Sequence, residues 1–151
     1  ANVMRGYYNQ PDATAAAIDV DGWFSTGDLV KIDEDGYVFV FDRKKELIKY
    51  SGFQVPPAEL EGVLLEHPAV ADAAVIGKED LEHGEIPKAF VVLKAGSSAN
   101  DRELMDYVGE RVATFKRVRE IEFVDAIPKN ASGKLLRRVL VERERAKAPG
   151  A

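Results

Sequence analysis

The chain has 151 residues, of which 46% are hydrophobic and 31% charged, and its formal net charge is −5. This balance is typical of a globular protein with a buried core, and an acidic chain is a poor match for general nucleic-acid binding. The absence of cysteine excludes disulfides, thiolate zinc sites and a cysteine nucleophile. No apolar run has the length of a membrane span and no signal peptide opens the chain, so we expect a cytoplasmic protein.

The first forty residues predict a short helix and a β-hairpin. Residues 11–17 suit a helix, and residues 29–32 and 37–41 are rich in β-forming side chains. Asp-Gly within the connecting segment 33–36 favours the positive φ of a tight turn. These elements contain little that could close a core alone, and the chain starts without Met. We therefore expect it to be part of a longer protein.

A charged break at residues 42–45 leads into a second region, which predicts an α+β domain. The predicted strands are 46–50, 70–77, 86–93 and 121–124, and the predicted helices are 56–66, one around 104–112, and 135–147. Residues 78–85 are predicted to be a loop. Such an order favours a small mixed β-sheet with helices covering one face. We place the domain boundary after residue 42, so that 1–42 and 43–151 are separate domains.

Three segments combine residue types that suit a nucleotide ligand. In residues 24–28, Asp28 follows Gly27, and a fixed carboxylate can accept two hydrogen bonds from the cis-diol of a ribose. In residues 42–55, four cations surround a strand and a Gly loop follows, which suits phosphate binding. In residues 128–134, Lys134 follows Gly133 and can enter a neighbouring cavity as a point charge. Taken singly, each segment is more often a turn, a charged linker or a helix-capping loop.

Other familiar sites are absent from the sequence. The segment 128–134 is not a Walker A loop, because its first Gly is missing and Leu135 replaces the Ser or Thr that would hold magnesium. Only two histidines occur, so a His-rich metal site is excluded. His67 precedes Pro68 at a helix end and is expected to be structural, whereas His83 is expected to be solvated in a loop. No metal site is expected within the chain.

In this order and spacing, the three segments resemble the late motifs of the superfamily of acyl- and aryl-CoA synthetases, peptide-synthetase adenylation domains and luciferases. The resemblance covers nearly the whole chain and includes residues 6–8, 11–14, 21–28, 33–37, 53–61, 67–68 and 84–90. Lys45-Glu46-Leu47-Ile48-Lys49-Tyr50, followed by Gly52-Phe53-Gln54-Val55, looks most like the branch of 4-coumarate–CoA ligase, luciferase and fatty acid–CoA ligases.

The resemblance implies that a large N-terminal domain binds ATP and a carboxylic acid while a small C-terminal domain swings over it. Residues 1–42 would be the tail of the large domain, and 43–151 the mobile domain. Asp28 would bind both ribose hydroxyls of the adenylate and Arg43 the same ribose. Lys134 would be the catalytic residue, because it would reach the α-phosphate and the attacking carboxylate.

The same resemblance assigns the remaining site residues to the domain movement and the second half-reaction. Lys45 occupies the hinge position, where many relatives have Asp and the coumarate-ligase branch has Lys. After the rotation, Lys49 and Gln54 would face the nucleotide, and the loop of Ser51 and Gly52 would line the pantetheine tunnel.

The implied reaction joins a carboxylic acid to coenzyme A through an acyl-adenylate, with AMP and pyrophosphate as products. The implied substrates and cofactors are ATP, coenzyme A and Mg²⁺, whose ligands are expected outside this chain. Three alternatives stay open: transfer to a carrier protein, oxidation of the adenylate as in luciferase, and a non-catalytic nucleotide-binding module. Residues 148–151 lack a peroxisomal Ser-Lys-Leu ending, which agrees with a cytoplasmic location.

Overall fold

A computed structural model of the protein describes residues 2–147, so the C-terminal segment used above to judge location lies outside the described residues. The chain divides into two compact units, residues 1–45 and 46–151. The division falls three residues after the boundary drawn from the sequence at residue 42. Among the described residues, no helix is long and apolar enough to cross a membrane.

The first unit contains the predicted helix and hairpin. Helix α1 spans Pro11–Ala17, with Pro11 in its first turn, where a missing backbone N–H costs nothing. Strands β1 (Asp28–Ile32) and β2 (Val38–Arg43) pair antiparallel, and Gly36 in their turn has a φ of +85°. None of the hydrophobic side chains among residues 2–45 is buried. This unit therefore has no core of its own.

The second unit is built on a mixed five-stranded sheet, which confirms the predicted fold class. Strands β3 (Ile48–Tyr50), β4 (Phe53–Val55), β5 (Val70–Asp80) and β6 (Gly84–Leu93) are antiparallel in the order β4-β3-β6-β5. Strand β7 (Glu120–Phe123) pairs parallel with β6. The helices are α2 (Pro57–Leu65), α3 (Asp101–Gly109) and α4 (Arg137–Arg145), with a 3₁₀ turn at Thr114–Lys116.

Two core layers lie on opposite faces of this sheet. Ala73 and Val75 of β5 pack in a cluster with α2 and α3, whereas Ala74 and Ile76 pack in a second cluster with Leu140 of α4. Successive strand residues point to opposite faces, so a strand covered on both sides shows a continuous apolar run. The prediction that the helices cover one face was therefore wrong, because α4 packs on the face opposite α2 and α3.

The predicted loop at residues 78–85 was also wrong, since β5 and β6 continue as a hairpin through this segment. Lys78 pairs with Ile86, and Asp80 pairs with Gly84 across a turn of only three residues. The Asp80 carboxylate accepts hydrogen bonds from the backbone N–H groups of Glu82 and His83, at 3.0 and 2.8 Å. The bond from His83 is the main cause of the lowered pKa of Asp80. Polar side chains concealed this strand extension because the ladder bonds use only the backbone.

Two smaller differences concern β4 and α4. Residues 53–55 form a strand that the sequence analysis did not predict, and α4 starts at Arg137 rather than at residue 135. Leu135 instead forms an isolated β-bridge with Lys129. The loop that carries Lys134 is therefore closed at its base before the helix begins.

A buried ammonium group joins α4 to the sheet. Lys88 of β6 is 3% exposed, and its Nζ lies 2.8 Å from Glu120, 3.0 Å from Glu122 and 2.9 Å from Glu144 of α4. Burial alone would lower the pKa of Lys88, but the hydrogen bonds to the three carboxylates outweigh it and raise this pKa above its ordinary value. Desolvation would raise the pKa of Glu120 and Glu122, and their lysine partners instead hold it below 4.5.

Candidate functional site

Asp28 and Arg43 lie opposite each other at one end of the β1–β2 hairpin. The two residues are register partners, and Arg43 Nε lies 3.2 Å from Asp28 Oδ1. The backbone N–H of Asp28 donates to Thr26 Oγ1 at 3.2 Å, and the preceding Gly27 has a φ of +76°. The hairpin thus fixes a carboxylate and a guanidinium side by side. A carboxylate held in this way suits a diol, and the guanidinium adds donors beside it.

The hairpin of β3 and β4 carries the four predicted residues of the second half-reaction. Lys49 and Gln54 are directly paired across the two strands, and both side chains are exposed. The turn between them is formed by Ser51 and Gly52, which have φ values of +46° and +84°. Positive φ at a serine is uncommon, and it leaves the turn tight and the backbone near its apex accessible.

A contact from the β5–β6 turn supports this small hairpin. Ser51 Oγ lies 2.9 Å from His83 Nδ1, and the backbone N–H of Ser51 donates to the carbonyl oxygen of His83 at 2.8 Å. The His83 ring also packs at 4.8 Å from the Tyr50 ring. His83 was predicted to be solvated in a loop, and that prediction was wrong, because the strand extension brings it against Ser51.

His67 has the structural role expected for it. Its ring is buried, its Nδ1 accepts the N–H of Ala69 at 3.2 Å, and the ring of Tyr107 meets it edge-on at 4.7 Å.

The loop that carries Lys134 is shaped by Asn130. Asn130 Oδ1 accepts three hydrogen bonds: the N–H of Ser132 at 3.0 Å, the hydroxyl of Ser132 at 2.8 Å, and the N–H of Lys134 at 2.8 Å. Two backbone bonds, from Gly133 to Asn130 and from Asn130 to Lys134, complete the loop. Gly133 has a φ of +78°, a conformation that L side chains rarely adopt.

The Lys134 side chain points away from the structure that presents it. The residue is exposed, and among residues 2–147 no hydrogen-bond or ion-pair partner is found for its Nζ. The neighbouring Lys129, by contrast, is paired with Asp72 at 2.6 Å. A rigid loop therefore holds the Lys134 backbone while its ammonium group is free to reach a ligand.

The predicted site residues form three separate groups. Asp28 and Arg43 share one hairpin, a second hairpin carries residues 49–54, and Lys134 occupies its own loop. Lys45 lies in the exposed turn after β2, at the last residue of the first compact unit. No cluster of three His, Asp or Glu side chains that could hold a metal ion is found within residues 2–147.

Sequence reasoning missed two residues that shape the Lys134 loop. Asn130 is recognisable in retrospect, since Asn commonly hydrogen-bonds backbone two residues later in a turn. Arg137 has no local signal, because its partners Glu46 and Glu61 are 91 and 76 residues distant in the sequence.

The family model of the AMP-binding enzyme C-terminal domain matches residues 59–134, a little over half of the chain. Over 140 residues the chain is 56% identical to 4-coumarate–CoA ligase-like 4 of Oryza sativa subsp. japonica, covering 93% of this chain and 25% of that protein. Over 141 residues it is 52% identical to peroxisomal OPC-8:0-CoA ligase 1 of Arabidopsis thaliana, covering 93% and 26%.

The crystal structure of ATP-bound MatB from Rhodopseudomonas palustris superimposes with a TM-score of 0.91 at 36% identity, covering 97% of this chain and 29% of that one. The chain thus spans about a quarter of the length of the curated relatives that it matches. The family match, the identity to CoA ligases and the shared fold agree with one another, and the chain belongs to the AMP-binding enzyme C-terminal domain family of adenylate-forming enzymes.

Proposed function

We propose that this chain is the C-terminal part of an acid–CoA ligase, which adenylates a carboxylic acid with ATP and transfers the acyl group to coenzyme A. The observation that carries the proposal is the unpaired ammonium of Lys134 on a loop fixed by Asn130. The named functions of the relatives support it, since they are CoA ligases, and the structural relative MatB was solved with ATP.

In the first half-reaction, a carboxylate must attack the α-phosphate of ATP, so two anions approach each other. A preorganised cation at that point offsets the charge that accumulates in the transition state. Lys134 supplies this cation in our proposal, and its exposed position allows it to reach a ligand outside its own unit. Asp28 and Arg43 bind the ribose of the same nucleotide, with Asp28 accepting bonds from the two hydroxyls.

In the second half-reaction, the thiol of coenzyme A attacks the acyl-adenylate, and we propose that the β3–β4 hairpin replaces the Lys134 loop at the nucleotide. Lys49 and Gln54 face the nucleotide, and the tight turn of Ser51 and Gly52 lines the path of the pantetheine arm. Lys45 acts as the hinge for this exchange. One domain then serves both steps by movement, which gates the reaction without adding chemistry.

The remainder of the active site belongs to sequence outside this chain in our proposal. Residues 1–42 are then the tail of a large ATP- and acid-binding domain and 43–151 the mobile domain, a division supported by the missing core of the first unit and by the length of the relatives. The isolated chain is expected to be inactive. Incubation with ATP and a panel of acids should release no pyrophosphate, and clear turnover by the chain alone would contradict the proposal.

The function itself is tested with the longer polypeptide that contains this chain. With ATP, Mg²⁺ and panels of aryl and fatty acids, it should support acid-dependent exchange of pyrophosphate into ATP, followed by thioester formation with free coenzyme A. Adenylate without transfer to free coenzyme A, but with transfer to a carrier-protein arm, would identify the carrier-loading alternative. Nucleotide binding with no adenylate from any acid would support a non-catalytic module. The predicted cytoplasmic location is tested separately by fractionation, since one relative is named a peroxisomal ligase.

A further inference from the structure

We propose that Arg137 is a positioning residue that fixes the Lys134 loop to the body of the second unit. It is the first residue of α4 and lies three positions after Lys134. The proposal deepens the function proposed above and rests on it for the enzymatic part of its test. The structural part of the test stands on the geometry alone.

The first contact joins Arg137 to α2. Arg137 Nη2 donates to Glu61 Oε2 at 2.6 Å, and Arg137 Nε donates to Glu61 Oε1 at 3.3 Å. Glu61 is itself buried, and its Oε1 also accepts the backbone N–H of Val75 in β5 at 2.8 Å. Two-point pairing of a guanidinium with a carboxylate fixes orientation as well as distance. The start of α4 is thereby held to both a helix and a central strand.

The second contact joins Arg137 to the segment that enters the unit. Arg137 Nη1 donates to Glu46 Oε2, and Glu46 directly follows the predicted hinge residue Lys45. The Arg137 side chain is only 20% exposed, so this triad is shielded from solvent more than a typical surface ion pair. One guanidinium therefore connects the entry of the unit, α2 and the beginning of α4.

The connection from Arg137 to Lys134 is short and closed. The N–H of Leu136 donates to the carbonyl oxygen of Pro128 at 2.9 Å, and Leu135 bridges Lys129. The loop therefore has a fixed base, and Arg137 anchors that base immediately outside it. Loss of the anchor would leave the internal bonds of the loop intact but would let the whole loop shift. A shift of about 1 Å at a catalytic group can reduce a rate about 100-fold.

Arg138 provides a matched control on the next residue. Its side chain is 90% exposed, and its carboxylate partner is Glu142 on the same helix, at 2.7 Å. A pair of this kind spans a single helix turn and connects no second element. Arg137→Met and Arg138→Met remove the same charge and keep similar chain lengths, so that they differ chiefly in what the guanidinium was holding.

The structural test measures hydrogen exchange by mass spectrometry in the longer polypeptide. Arg137→Met should speed exchange of peptides from residues 128–136 at least about tenfold while leaving those from α3 unchanged, because opening of the loop no longer has to break the triad. Arg138→Met should match the wild type. Equal exchange at 128–136 in Arg137→Met and the wild type would overturn the proposal, as would acceleration spread equally over the unit.

The enzymatic test separates the half-reactions in the same variants. Arg137→Met should lower kcat for acid-dependent pyrophosphate exchange about 10- to 100-fold with little change in the KM for ATP. Thioester formation from supplied acyl-adenylate should stay near the wild-type rate. Equal loss in both half-reactions would indicate a structural role only and would refute positioning.

Two gentler variants keep the test decisive if Arg137→Met does not fold. Arg137→Lys retains the charge but not the two-point pairing, and Glu46→Gln removes one carboxylate while Glu61 keeps Arg137 paired. Both should give intermediate losses confined to adenylation, and wild-type adenylation rates in both would overturn the proposal. A wild-type polypeptide that makes no acyl-adenylate would refute the proposed function, whereas the exchange experiment would still decide the role of Arg137.

Discussion

Replacement of Lys134 by Ala should separate catalysis from stability. The Lys134 side chain is exposed and has no ion-pair partner among the residues that the structure describes, so truncation removes no tertiary contact seen there. The bonds that hold the loop use the backbone N–H and carbonyl oxygen of residue 134, which Ala retains. Exposed positions of this kind usually change the free energy of unfolding by less than about 0.5 kcal/mol.

The expected kinetic effect of the same variant is much larger. Removal of one preorganised donor from a site of developing charge costs about 100- to 1,000-fold in kcat, or about 2.7–4 kcal/mol. In the proposed mechanism this loss falls on the step that forms the acyl-adenylate. The second half-reaction uses the β3–β4 hairpin, so thioester formation from supplied acyl-adenylate should change by less than about threefold, well below the loss from a missing transition-state donor.

Both effects can be measured in the longer polypeptide. Pyrophosphate exchange reports adenylation, thioester formation from synthetic adenylate reports transfer, and urea unfolding reports stability. Lys129→Ala is the control from the same loop, because its ammonium is already paired with Asp72 and should contribute at most about 1 kcal/mol to stability and little to either rate. Equal loss of Lys134→Ala in both half-reactions, or normal adenylation, would refute the assigned role.

The remaining predictions concern the buried cluster around Lys88. Lys88→Met should destabilise the second unit by about 3 kcal/mol, the lower end for breaking a buried ion pair, because Glu120 and Glu122 keep their contacts with Lys78 and Lys147. Urea unfolding measures this, and the exposed Arg102→Met is the control; a loss below 1 kcal/mol would contradict it. Because the folded-state pKa values of Glu120 and Glu122 lie below the ordinary 4.5, their stabilising contribution should be complete above pH 4.5 and should diminish as the pH falls further. Urea midpoints between pH 7 and pH 3 should show this decline, with a shallower slope in Lys88→Met.

The sequence predicted those parts of the fold that depend on local pattern. The hairpin of the first unit, the three helices of the second and the central strands all follow from periodicity and turn residues. The failures are non-local. Which face α4 covers depends on the packing of Leu140 against Phe90, and the extension of β5 to Asp80 depends on ladder bonds whose side chains are polar.

The candidate site divides in the same way. Asp28, Lys49 and Lys134 were identifiable because each belongs to a short motif with a chemical reason for its residue type. The pairing of Arg137 with Glu46 and Glu61, and of Ser51 with His83, joins distant segments that no local pattern connects. Such contacts follow from the folded topology, which is why sequence reasoning located the chemical groups but not what holds them in place.

The contact between Ser51 and His83 has a consequence for variation at the tip of the long β5–β6 hairpin. Exposed turns normally tolerate added residues, because nothing depends on their length. Here the main chain and the imidazole of the turn both reach the neighbouring small hairpin. An insertion at residues 81–83 would move that prop away from Ser51, so this surface turn should resist changes in length as strictly as a core strand does.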